Sequence, residues 1–173
     1  MRKKKRVLLI LSIPFLVLTL YYLFPEDRLC AETQIDKLVV LKSKREMLAY
    51  SKGQLVKSYR ISLGRQPVGR KDFEGDKKTP EGLYFINDKS SSSGYHKNLG
   101  TSYPDKDDID NADRLGKPPG GDIKIHGLRN GLGFIGKFHR WADWTLGCIA
   151  VTNREIRELY ASVPIGTPIE IRE

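Results

Sequence analysis

The hydrophobic pattern of the chain changes character once, near residue 34. Before that point, residues 7–24 form a run of eighteen positions that is apolar apart from Ser12, Pro14 and Thr19. A run of that length is near the lower limit for a helix that spans a bilayer. After it, the pattern breaks into short segments of β character. Residues 36–42, 46–50 and 55–63 predict three strands, with a turn at Ser51-Lys-Gly-Gln54. In the third run Val56, Ser58, Arg60 and Ser62 alternate with Leu55, Lys57, Tyr59, Ile61 and Leu63, an imperfect period of two that fits a half-buried strand.

Further along, Thr79-Pro-Glu-Gly82 predicts a turn and residues 83–87 a short strand. Residues 88–94, with four consecutive serines, predict a flexible tip. Residues 98–121 show little periodicity. They read as a long loop, and a loop of that length inside a compact domain usually walls a functional site. Residues 122–126 predict another strand. One helix stands out, over residues 154–163, with Ile156, Leu159, Tyr160 and Val163 on one face and Pro164 as its stop. Thr152 and Glu155 fit a capping box ahead of it. Residues 167–171 predict a closing strand. The expected organisation is an N-terminal membrane anchor or signal segment (1–24), a linker (25–34) and a mostly β domain with a few short helices (35–173).

Charge alters this picture only at the N-terminus. The chain carries 30 Lys+Arg against 21 Asp+Glu, a net charge of +9, and five of the basic residues are Arg2 to Arg6. The remaining excess is an ordinary surface, and no motif pairs it with stacking aromatics, so nucleic acid is not an expected partner. The basic cluster ahead of the apolar run predicts a single-pass anchor with its N-terminus cytoplasmic and the domain on the periplasmic or extracytoplasmic side. A cleaved signal peptide is the rival reading, although no small-residue cleavage site follows the run. Leu29-Cys30 lacks the small residues of a lipid-attachment site. Cys30 and Cys148 are the two cysteines, and both are expected to be reduced.

The candidate chemistry centres on Cys148. It follows Gly147, precedes the apolar Ile149-Ala-Val151, and stands just ahead of the capped helix. A glycine there permits close approach of substrate, and nearby backbone N–H groups can lower a thiol pKa or bind an oxyanion. The alternative is a small buried hydrophobe. A cysteine nucleophile needs a base, and three histidines are available. His126 ends a predicted strand and is followed by Gly127, which suits projection into a cleft. His139 is nearer in sequence and stays open as a second candidate. His96 borders the serine-rich tip and reads as a solvated loop residue. Arg140, Trp141, Asp143 and Trp144 are candidates for lining an anionic peptide groove, with ordinary surface and core roles as the alternative. Tyr95 and Tyr103 read as packing residues. Scattered histidines and distant cysteines give no metal-ligand spacing, and no cofactor is expected.

Thr79-Pro-Glu-Gly82, Ile125-His-Gly127 and Trp144-Thr-Leu-Gly-Cys-Ile-Ala-Val-Thr-Asn153 together resemble the L,D-transpeptidase catalytic domain, the YkuD-like fold of bacterial wall enzymes. The resemblance covers about residues 35–172. It implies a β-rich domain whose cysteine attacks a peptidoglycan stem peptide after its third residue, releases the terminal D-alanine, and passes the thioester-bound stem to an amine. Residue by residue it implies Cys148 as nucleophile and His126 as general base. Gly127, Gly147, Thr145, Arg140 and Trp144 would shape the site, with backbone N–H groups near Cys148 as the oxyanion hole. Many members carry a histidine immediately before the Gly-Cys pair, where this chain has Leu146. The expected function is therefore a cysteine-dependent L,D-transpeptidase in cell-wall biogenesis. The alternatives are a hydrolase that resolves the thioester with water and a non-catalytic wall-binding module. Oligomeric state is open.

Overall fold

The computed structural model describes the backbone of residues 2–173 and the side chains of residues 13–173. Helix α1 (Arg2–Leu23) covers the N-terminal apolar run. Residues 7–12 of that run lie outside the described side chains, and among the described residues no helix is long and apolar enough to cross a membrane.

The domain is built on eight strands: β1 (Lys37–Leu41), β2 (Glu46–Ser51), β3 (Gln54–Arg60), β4 (Gly82–Ser93), β5 (His96–Thr101), β6 (Lys124–His126), β7 (Ile149–Ala150) and β8 (Pro168–Arg172). They form one sheet in the order β3-β2-β1-β8-β4-β5-β6-β7. Strands β2 and β3 are joined by Lys52 and Gly53, both at positive φ (50° and 75°), the backbone of a two-residue hairpin whose twist matches its strands. The last strand of the chain, β8, lies parallel to β1 and antiparallel to β4, so it joins the N-terminal meander to the second half of the sheet.

The sheet curls until its far ends meet. Ser62, just after β3, pairs with Ala150 of β7, and Gly64 pairs with Thr145. The period-two pattern explains the interior. Leu38 and Val40, Met47 and Ala49, Tyr84 and Ile86, and Ile169 and Ile171 all point into one core with Leu99, Ile125 and Ile149. Helix α3 (Asn153–Ser162) lays Ile156 and Leu159 against this core and starts at the Thr152–Glu155 capping box. A fully buried Ile or Leu contributes about 1.5–3 kcal/mol, so the closed side of the sheet is held by many such side chains together.

Two segments depart from expectation. The serine-rich stretch is strand: β4 runs through Ser93, with Ser90 opposite Asn98 and a register shift before Ser93. Serines carry no apolar alternation, but their backbone pairs as well as any other. The aperiodic segment that follows contains β5 and a second helix, α2 (Lys106–Arg114). Its capping box joins Asp105 and Asp108, and its buried face is Asp108 and Ala112, which no hydrophobic period reveals. Asp108 accepts from Arg70 (2.8 Å) and from the Tyr84 hydroxyl (2.9 Å). Between β6 and β7 lies a 3-10 segment, Gly133–Trp141, kinked at Gly136.

Candidate active site

Cys148 stands one residue before β7, and the parallel pairing of β7 with β6 sets it beside the strand that ends at His126. The turn that presents it is tied from within. The Thr145 hydroxyl donates to the Cys148 carbonyl (2.7 Å) and accepts from the Gly147 amide (3.2 Å). The Thr145 amide donates to the Leu63 carbonyl, which fastens the turn to the chain after β3. Gly147 has φ 138°, and a Cβ there would lie 2.8 Å from the Lys78 carbonyl oxygen and 3.1 Å from Ile123. Only glycine fits between the Lys78 backbone and the nucleophile's turn.

His126 is buried, 5% exposed, at the end of β6. Its Nδ1 lies 2.7 Å from the Gly127 carbonyl. A carbonyl only accepts, so Nδ1 carries the proton and Nε2 is left as the basic nitrogen. Gly127 in turn packs on α3, where a Cβ would lie 2.7 Å from Asn153 Oδ1. The imidazole is flanked by the rings of Tyr95 (4.6 Å between centroids) and Trp144 (5.7 Å, edge-on).

Cys148 and His126 open onto one cleft of about 790 Å³, lined also by Arg65, Tyr95, Asn98, Lys124, Arg129 and Trp144. Period two explains its floor. Lys124 and His126 share one face of β6, and Asn98 is the cross-strand partner of His126. Asn98 Oδ1 is buried without a hydrogen-bond partner. Leu146 stands exposed at the rim. The thiol donates to the Asp122 carbonyl (3.4 Å).

Burial decides the electrostatics. It pushes the Cys148 thiol above its ordinary value, against smaller lowering effects from the Lys124 backbone and charge. Burial also lowers the His126 imidazole, with the Gly127 carbonyl opposing and Lys124 adding to the shift. Both groups are therefore neutral near pH 7. The expectation that backbone N–H groups depress the thiol pKa is corrected here: desolvation outweighs them, and the Gly147 amide is turned to Thr145.

Of the other residues singled out from sequence, Trp144 and Thr145 line the cleft. Thr145 does so with its hydroxyl committed to the turn. Arg140 does not line it. Its guanidinium is held by Glu26 (2.5 Å) and Glu155 (2.8 Å) at the start of α3, so no fork is free for substrate. Asp143 accepts from Arg45 and from the Leu63 amide, a structural role. Trp141 lies on the 3-10 segment, largely exposed. His139 is buried behind Trp144, with Nδ1 3.5 Å from the indole nitrogen. His96 lies at φ 67° beside Arg157. Cys30 and Cys148 are both free. Lys124 was not among the sequence candidates, and Tyr95, read there as a packing residue, lines the cleft. Lys124 was recoverable as the residue two before His126 on one strand face. The placement of Tyr95 on the His126 ring was not legible, because nothing local places a hairpin tip over a distant imidazole.

The site thus combines a curled, closed sheet, a cysteine on a glycine turn and a histidine at the end of the neighbouring strand. The sequence profile of the YkuD family, the L,D-transpeptidase catalytic domain, matches residues 36–171, and the chain belongs to this family. No match is found among curated protein sequences. Among solved structures, the fold is similar to the helical cell shape determining protein Pgp2 from Campylobacter jejuni (TM-score 0.60, 24% identity, 82% of this chain and 49% of that one). It is also similar to Bd1075 of Bdellovibrio bacteriovorus (0.57, 23%, 83% and 49%). An L,D-transpeptidase from Mycobacterium smegmatis shares the fold at 0.52 and 14% identity, over 79% of this chain and 58% of that one. The chain thus spans about half the length of the first two.

Proposed function

We propose that this chain is a cysteine-dependent L,D-transpeptidase acting on peptidoglycan stem peptides. The observation that carries the reading is the shared cleft of Cys148 and His126, with Nδ1 committed to Gly127 and Nε2 left to act as base. Rotation about the Cys148 Cα–Cβ bond turns the thiol from Asp122 toward Nε2. Nε2 takes the thiol proton as Sγ attacks the carbonyl of the third stem residue. The developing oxyanion falls to the Cys148 amide, since the Gly147 amide is already bound to Thr145. The C–N bond to D-alanine breaks, and the imidazolium returns the proton to the leaving nitrogen. An amine then attacks the thioester, gives a proton to Nε2 and displaces the thiolate, which regains its proton from the imidazolium. Arg65, Lys124 and Arg129 supply positive charge along the cleft for stem carboxylates.

We also propose that α1 anchors the chain in the cytoplasmic membrane with the domain outside. Support comes from the apolar run at residues 7–24 behind Arg2 to Arg6, and from the outward-facing apolar side chains of α1, with Phe15 73% and Leu20 58% exposed.

Incubating the full chain with stem tetrapeptides, with and without an amine acceptor, followed by mass spectrometry, tests the chemistry. Cross-linked product lacking one D-alanine is the expected result. Tripeptide alone would make the enzyme a hydrolase, and the absence of any acyl-enzyme would overturn the proposal.

A further inference from the structure

The 3-10 segment Gly133–Trp141 lies in sequence between the base and the nucleophile, yet it contributes no residue to the cleft lining. Its outer side is occupied by the end of α1. Tyr21 and Tyr22 pack on Phe138 (5.7 and 5.4 Å between centroids), Tyr21 also meets Trp141 (5.9 Å), and Phe138 meets Trp141 edge-on (4.8 Å). The Tyr22 hydroxyl donates to the Phe134 carbonyl (2.8 Å). Lys137 Nζ donates to the carbonyls of Tyr21 and Phe24, at the end of the helix where backbone acceptors have no helical partner. Gly136 makes room for this contact, since a Cβ there would stand 2.7 Å from the Tyr22 ring. Just beyond the helix, Glu26 is clasped by Arg140 (2.5 Å) and Arg154 (2.8 Å). The orientation of α1 on the domain is therefore held by rings, carbonyls and an ion-pair network together.

The same surface leaves large apolar groups uncovered. Phe134 is 72% exposed and Trp141 63%, next to the bare apolar face of α1. Tyrosine and tryptophan with flanking lysine and arginine, at the end of an apolar helix, are the composition of a membrane–water interface belt, where an amphipathic ring has an apolar body in the acyl region and a polar edge among headgroups.

We propose that Phe134 and Trp141, with the end of α1, form a seat on the bilayer surface, the occupant being the headgroup layer of the membrane that α1 enters. The inference rests on the anchor reading above. Its functional consequence follows from distance along the fold. Arg129, Leu132 and Trp144 line both the catalytic cleft and the small apolar pocket under the 3-10 segment, and Ile135 and Phe138 of that segment form the pocket's other wall, so cleft and seat are linked through this pocket. The enzyme is thereby held against the membrane, and its substrates are stem peptides on strands lying at the membrane surface rather than deep in the wall.

Tryptophan fluorescence tests this, because Trp141 and Trp144 are the only two tryptophans. The full chain is reconstituted in phosphatidylcholine–phosphatidylglycerol vesicles, with and without bromine on the acyl carbons nearest the headgroup. The Trp144→Phe protein, reporting Trp141 alone, is expected to lose a large part of its emission to bromine, because aromatic-belt rings sit at headgroup depth. The Trp141→Phe protein, reporting Trp144, is expected to be nearly unaffected. If the protein floats with the vesicles but Trp141 is unquenched, the anchor stands and the seat is wrong. If the protein does not float with the vesicles, the anchor fails and the seat fails with it.

Discussion

Two buried histidines in this molecule both sit beside one tryptophan. His126 and His139 are 5% and 6% exposed, both have rings near Trp144, and burial lowers the pKa of both, His139 to about 3. Only one of them is placed as a base. His126 gives Nδ1–H to a carbonyl and lines the cleft with Cys148, while His139 faces Ser62 and the indole N–H with Nε2 buried and unpartnered. Desolvation alone therefore does not mark a catalytic group. What marks it is a fixed tautomer together with an opening toward the nucleophile.

The comparison is broken most sharply at the nucleophile. Cys148→Ala is expected to abolish acyl-enzyme formation completely, as read by intact mass after incubation with a stem tetrapeptide; surviving acylation would move the chemistry out of this cleft. Next in size, His126→Ala is expected to slow single-turnover acylation by about 10²–10⁴-fold, with the fold retained by circular dichroism. His139→Phe, outside the cleft lining, is expected to stay within about tenfold of the parent. Gly147→Ala addresses the turn between them. The Cβ clash with the Lys78 carbonyl and the φ of 138° are expected to cost about 1–3 kcal/mol, visible as a lower Tm and slower acylation together.

Much of this was legible in the sequence. The period-two runs located the meander, the T-x-x-E signal located α3, and a glycine beside Cys148 pointed to a constrained turn that the Lys78 backbone does enforce. The pairing of Cys148 with a distant His126 followed from chemistry and resemblance, and the structure sets both on one cleft. Other parts were hidden for physical reasons. Helix α2 buries an aspartate rather than a leucine, so hydrophobic periodicity is silent there. Arg140 looks like a substrate clamp until the fold supplies Glu26 and Glu155, which are remote from it in the chain. The raised thiol pKa depends on how deeply the turn is packed, which no local motif encodes.

His139 contributes instead to the pH dependence of stability. Unfolded chains bind a proton on His139 below about pH 6.5, whereas the folded chain resists it down to about 3. Stability from this residue is therefore full above pH 6.5 and is lost as pH falls toward 3. Melting temperatures across that range are expected to fall less steeply in His139→Phe than in the parent. An unchanged slope would show that His139 is protonated in the folded state.

The central claim, that neutral His126 is the base for a neutral Cys148 thiol, is tested most directly by the pH dependence of single-turnover acylation in the parent, His126→Ala and His139→Phe proteins. The parent rate is expected to rise through an acid limb with its midpoint below 6.5, the ordinary histidine value, and then to hold level across neutral pH. His139→Phe is expected to keep that limb, and His126→Ala to lose it while acylating slowly at every pH. A limb that survives His126→Ala but disappears in His139→Phe would contradict the account and transfer the base to His139.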